Sequence, residues 1–237
     1  MTCETRLIDL IFPGDTNHHG TLFGGAALAH MDKVAFITAT RHAHVDFVTA
    51  SCDRIDFAAP AHVGEIAEIT GRIVRAGTRS LTVEAELVAE VLHTGERRLC
   101  SRGRFNMVTA DPQARVPAAE PPDAATEDEL RMVELVFPDQ SNHRNILFGG
   151  HALAAMAKAA FVATTRHCRK TIVLAATRQV TFLAPIRVGE IMEAIPKVVS
   201  SGTRSHQVDV GLWGENLETG ERRLAAEGGF TMVAVDD

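Results

Sequence analysis

The chain has 237 residues, 46% hydrophobic and 23% charged, which is the make-up of an ordinary globular protein of one or two domains. A net charge of -6 speaks against the clustered basic surface that nucleic-acid binding needs. Apolar runs such as residues 24–29 are too short to span a bilayer and no signal-peptide pattern opens the chain, so neither nucleic acid nor membrane is an expected partner.

A short apolar segment, Leu7 to Phe12, leads into a polar turn from Pro13 to Gly20. The stretch from Gly25 to about His44 lacks Pro and is rich in Ala, Leu, Met and Phe, so it predicts one helix. Being apolar nearly all round, that helix should be buried. Four stretches rich in Val, Ile, Thr and Phe follow: Phe47 to Phe57, Glu65 to Ala76, Ser80 to Val91 and Arg97 to Thr109. They are broken by Pro60, Gly64, Gly77 and Thr94-Gly95, and read as antiparallel strands joined by tight turns. The class is α+β, an antiparallel sheet wrapped around one long helix.

From Ala110 to Glu129 the composition changes. Pro112, Pro117, Pro121 and Pro122 remove backbone donors, and Glu127, Asp128 and Glu129 resist burial, so 110–129 reads as a linker. Beyond it the pattern repeats at an offset of 125. Asn17-His18 maps onto Asn142-His143, and Leu22-Phe23-Gly24-Gly25 onto Leu147-Phe148-Gly149-Gly150. Gly77-Thr78-Arg79-Ser80 maps onto Gly202-Thr203-Arg204-Ser205, and Thr94 to Leu99 onto Thr219 to Leu224. Pairing residues 10–109 with 135–234 needs no gap and gives 48 identities in 100 pairs. So long a period means two whole domains, 1–109 and 130–237. Cys52, Cys100 and Cys168 face no cysteine in the other copy, and no C-x-x-C occurs. With Cys3 they read as free thiols in a reducing, cytoplasmic compartment.

The copies have diverged chemically. Asp32 lies within the helix beside Leu28, Met31, Ala35 and Phe36, and its match is Ala157. A carboxylate that the fold required would be required twice, so Asp32 reads as functional; the bland alternative has it facing solvent or pairing with Lys33 or His30. Thr38, Thr49 and Ser51 become Ala163, Leu174 and Ala176, and Asp53 becomes Arg178, so the first copy keeps a polar lining that the second has lost. Glycines at a helix start let a ligand approach unspent N–H groups, although Gly24-Gly25 and Gly149-Gly150 equally fit tight helix–sheet packing. His18-His19, His30, His42 and His44 lack the spacing of a zinc site, so no metal is expected.

The run Asn17 to Gly25, followed by Met31-Asp32, resembles the acyl-CoA thioesterases of the brain acyl-CoA hydrolase and YciA type. Phe47 to Ser51, Val63-Gly64-Glu65, Gly77 to Ser80 and Thr94-Gly95 are similar too, and the resemblance covers both copies. It implies two tandem hotdog domains, thioester hydrolysis with CoA as part of the substrate and no cofactor, and a trimer of double hotdogs. It also implies that the Asn and the helix acid come from opposite halves of a hotdog pair. Carried over, the catalytic set is Asp32, Asn142 and Gly150, with Asp32 as general base or nucleophile and Gly150, or alternatively Gly25, holding the oxyanion. Asn17 faces Ala157 in a second cleft without an acid. The substrate-binding candidates are Asn17, Gly24, Gly25, Gly149, Thr49, Ser51, Arg79, Ser80, Arg204 and Ser205. The two arginines lie where relatives approach CoA, and a solvated arginine is the alternative. Arg97-Arg98 and Arg222-Arg223 read as exposed hairpin residues. Two rival functions stand: a non-catalytic acyl-CoA-binding hotdog protein, and a hotdog enoyl-CoA hydratase.

Overall fold

A computed structural model describes residues 4–53, 55–118 and 130–235, so Cys3 and residues 119–129 of the expected linker lie outside it. The chain forms two compact units, one holding strands β1 to β6 and the other β7 to β11. The first contains β1 (Glu4–Leu10), α1 (Gly24–Ala43), β2 (Phe47–Cys52), β3 (Asp56–Phe57), β4 (Ile66–Ala76), β5 (Ser80–Glu90) and β6 (Arg97–Thr109). The second contains β7 (Met132–Leu135), α2 (Gly149–Cys168), β8 (Ile172–Phe182), β9 (Ile191–Ser201), β10 (Ser205–Glu215) and β11 (Arg222–Ala234). The antiparallel sheets run β1-β4-β5-β6-β2, with β3 also on β6, and β7-β9-β10-β11-β8. Each is the hotdog arrangement of a sheet around one helix. No helix among the described residues is long and apolar enough to cross a membrane.

Alternation along the strands sets the core. Val83, Ala85 and Leu87 of β5 are buried together with Met31, Val34 and Ala35 of α1. Each helix is covered on one side only near its start: Ala27 and Ala152 are buried, while Leu28 and its counterpart Leu153 are 37% and 38% exposed. The expected strand over Phe47 to Phe57 is broken into β2 and β3, whereas β8 is continuous. Asp53 and Asp56, poor strand formers, stand where the second copy has Arg178 and Thr181. Residues 110–118, expected as linker, follow the first unit: the Ala110 N–H donates to the Asp46 carbonyl (2.9 Å) and that of Val116 to Thr78 (3.1 Å).

Arg97 and Arg98 are ion-paired instead of merely exposed. Arg97 reaches the buried Glu68 at 2.7 Å, Arg98 meets Glu65, and Arg222 and Arg223 meet Glu193 and Glu190 in the same way. The Thr-Gly-Glu-Arg-Arg run recurs because each unit buries carboxylates, Glu65, Glu68 and Glu90 in the first and Glu190, Glu193 and Glu215 in the second, that call for guanidinium groups nearby.

One exchange between the copies is a compensated pair. Thr38 is fully buried, donates to the Val34 carbonyl (2.7 Å) and leaves room only for Gly71 opposite; a Cβ there would lie 2.6 Å from its Oγ1. Thr38 is therefore core, not polar lining. Its match Ala163 frees the space, and Gly71 is replaced by Pro196. The Val136 N–H donates to the Glu190 carbonyl, so alternate residues of β9 from 190, including 196, point their N–H toward the β7 edge. Pro196 has none to give, and β7 stops at Met132 opposite Ala194, while β1 continues to Glu4 opposite Arg72.

His206 is a buried imidazole where the first copy has Leu81. Its Nδ1 lies 3.1 Å from Ser201 Oγ, which in turn lies 3.0 Å from His167 Nε2, and its own Nε2 is buried without a partner. Burial, reinforced by His167 and Lys170, holds its pKa below the ordinary 6.5. The folded state therefore takes up a proton less readily than the unfolded chain, and stability falls as pH drops below about 6.5. Between about pH 7.5 and about pH 5, which bracket the titration of an ordinary imidazole, the melting temperature should decline less in His206→Leu than in the wild type. Parallel declines would remove His206 as the cause.

Candidate active site

The candidate residues lie at the helix start of each unit, at one carboxylate in α1 and in the turn before each helix. Neither Phe23 nor Phe148 caps its helix with a side-chain hydrogen bond. The Ala27 N–H turns back to the Phe23 carbonyl (3.0 Å), so the N–H groups of Gly24 and Gly25 precede the intrahelical ladder. Those of Gly149 and Gly150 do the same in α2, where the His151 N–H already reaches Phe148 (2.9 Å). A Cβ on Gly24 would meet only the Phe57 ring at 3.8 Å, and one on Gly149 the Phe182 ring at 3.7 Å, ordinary contacts in both cases. Helix–sheet packing thus does not require these two glycines. Gly25 is different, since a Cβ there would lie 2.6 Å from the Phe23 ring. Beside the start of α1 is an apolar cleft of about 360 Å³, bounded by Gly24, Ala27 and residues 57–61. A matching cleft of about 310 Å³ lies between Ala152 and residues 182–186 in the second unit.

Asp32 sits two turns into α1, half-buried on the side that the sheet leaves open. The Thr49 hydroxyl donates to its Oδ1 at 2.6 Å, which is its one hydrogen bond among the described residues. A charge-assisted bond this short fixes the carboxylate and leaves Oδ2 for a substrate or water. Asp32 and Thr49 correspond to Ala157 and Leu174, so the acid and the hydroxyl that holds it are missing together in the second copy. That joint loss was the signal by which the pair could have been found in the sequence.

Ser51 is placed elsewhere. A bulge at Ala50 puts Thr49 opposite Met107 but Ser51 opposite Asn106, whose amide donates to the Ser51 hydroxyl at 3.0 Å and to Asp53 at 3.2 Å. Arg79-Ser80 and Arg204-Ser205 close the β4–β5 and β9–β10 turns. Arg79 Nε is buried with no partner, and Arg204 Nε donates to the Ala234 carbonyl at 3.3 Å.

Asn17 and Asn142 both shape the turn before a helix. Asn17 Oδ1 accepts the N–H of His19 (2.9 Å) and Thr21 (3.3 Å), and Asn142 Oδ1 accepts those of Arg144 (2.8 Å) and Ile146 (3.3 Å). These bonds fix which end of each amide is oxygen. Among the described residues no group of three or more His, Cys, Asp or Glu is placed to hold a metal.

Two segments, residues 19–99 and 144–221, match the thioesterase superfamily family model. The crystal structure of an acyl-CoA hydrolase from Agrobacterium tumefaciens is similar over 98% of this chain and 96% of its own, with 52% identity and a TM-score of 0.89. An uncharacterized acyl-CoA thioester hydrolase, YkhA of Bacillus subtilis, is 33% identical over 61% of this chain and 84% of its own. Mouse acyl-coenzyme A thioesterase 11 is 27% identical over 98% of this chain, which spans only 47% of that relative. With both copies matched and the hotdog arrangement formed twice, the chain belongs to the thioesterase superfamily.

Proposed function

We propose that the chain hydrolyses acyl-CoA to a free fatty acid and CoA at one composite site, made by Asp32 of the first copy and Asn142 of the second. The observation that carries this reading is the Asp32–Thr49 pair, present once and replaced by Ala157 and Leu174 in the other copy. Relatives named for acyl-CoA hydrolysis support the substrate class. In this reading Asp32 either takes a proton from the attacking water or attacks the thioester carbonyl itself, while Thr49 holds the carboxylate. The N–H of Gly150, or alternatively Gly25, receives the oxyanion, and the Asn142 amide orients the reacting group. Gly24 and Gly149 let substrate approach the helix starts, and Arg79 Nε is a donor suited to a CoA phosphate.

Domain limits at 1–109 and 130–237, a cytoplasmic location and a trimer of double hotdogs belong to the same proposal. Free thiols at Cys52, Cys100 and Cys168 support the location. Exposed Val48 on β2 and Val173 and Leu174 on β8 support assembly, because apolar side chains on edge strands call for cover. The test is thiol release from a panel of acyl-CoAs of increasing chain length. Release is expected with at least one of them. Tight binding without release would make the protein an acyl-CoA sensor, and water addition to an enoyl-CoA without thiol would make it a hydratase.

A further inference from the structure

The two turns that carry Asn17 and Asn142 have the same backbone. The N–H groups of Asn17 and Gly20 donate to Thr21 and Asn17, at 2.9 and 3.0 Å. Those of Asn142 and Asn145 donate to Ile146 and Asn142, at 2.8 and 3.0 Å. The side chains differ at one place. In the first copy Asn17 Nδ2 donates to the Thr21 hydroxyl at 2.9 Å, and that hydroxyl also lies 3.2 Å from Asn17 Oδ1. In the second copy the matching residue is Ile146, which has no acceptor, and Asn142 Nδ2 has no hydrogen-bond partner among the described residues. One asparagine ties one of its two amide N–H groups to its own turn, and the other keeps both.

We infer that residues 21 and 146 are positioning residues that tune how the turn asparagine serves the reaction: Ile146 leaves both N–H groups of the Asn142 amide open to the substrate, and Thr21 takes one of the two from Asn17. The inference rests on the assignment of Asn142 to the active site. It also means that the two asparagines are unequal as donors, in the same sense as the loss of the acid at Ala157.

The test gives Asn142 the partner that Asn17 has. Ile146→Thr supplies the hydroxyl, and Ile146→Val has nearly the same shape without it, so their difference isolates the hydrogen bond from side-chain volume. The fold already accepts Thr at this turn position, at Thr21. The new hydroxyl then competes with the substrate for the N–H that faces it, so kcat of Ile146→Thr is expected about ten-fold below that of Ile146→Val. KM should differ less than about two-fold, the scatter expected when binding contacts are untouched. Ile146→Ser against Ile146→Ala repeats the comparison on smaller side chains should the first pair melt early. Equal kcat within both pairs, with Asn142→Ala inactive, would overturn the inference and leave the site assignment standing. Full activity in Asn142→Ala would overturn both.

Discussion

Asp32→Asn is expected to lower kcat by about 10² to 10⁴-fold, the range for losing a general acid or base. The substitution keeps the size of the side chain, and its carbonyl oxygen can still accept from the Thr49 hydroxyl, which lies 2.6 Å from Asp32 Oδ1. What it removes is the ability to take a proton or attack as an anion. The fold should hardly notice. Asp32 is half-buried on the open side of α1, and α2 is complete with Ala157 at the same position. Stability should therefore stay within about 0.5 kcal/mol of the wild type, as for most substitutions outside a core. Retained kcat in a folded Asp32→Asn protein would remove the acid from the reaction, and with it the single-site reading.

Asn142→Ala and Asn17→Ala form the second test, and the structure makes each the control for the other. Each asparagine accepts two turn N–H groups, at 2.8 and 3.3 Å for Asn142 and at 2.9 and 3.3 Å for Asn17. Both variants should thus lose stability, about 1 kcal/mol per hydrogen bond, and Asn17→Ala the more of the two because its bond to the Thr21 hydroxyl goes as well. Activity should separate them. Losing a preorganised donor at the reacting group costs about 10² to 10³-fold in kcat, and that loss is expected for Asn142→Ala. Asn17→Ala should keep its turnover, because on this reading its cleft has no acid. Steady-state kinetics at a temperature where both remain folded gives the answer. The opposite ranking would mean that Asp32 works with the asparagine of its own copy.

Much of the fold was legible because repetition removed ambiguity. A helix over Gly25 to His44 and four strands after it follow from composition and turn residues, and the second copy gives an independent reading of the same pattern. The break in the strand after Cys52 was not legible, since single acidic residues such as Asp53 and Asp56 are common at strand ends and within edge strands alike. Thr38 misled for a related reason: a polar letter lost in the second copy looks functional, yet here it tracks the exchange of Gly71 for Pro196 across the core. The partners of Arg97 and Arg98 were hidden because Glu65 and Glu68 are distant in sequence and their burial depends on sheet register. For Asp32 the identity of the acid came from the comparison of copies. Its partner Thr49 required the register of β2, where the bulge at Ala50 separates it from Ser51.

The proline at 196 also governs how the second unit can meet other chains. Among the described residues β7 covers only four residues of its neighbour, and β9 runs on past Ala194 with no strand paired on that side, though Pro196 itself is buried. At Pro196 that margin offers a ring in place of a donor, and an incoming strand would lose a rung of the ladder there. The opposite margin, β8, contains no proline and exposes Val173 and Leu174. Growth by strand pairing is thereby discouraged on one side and left open on the other.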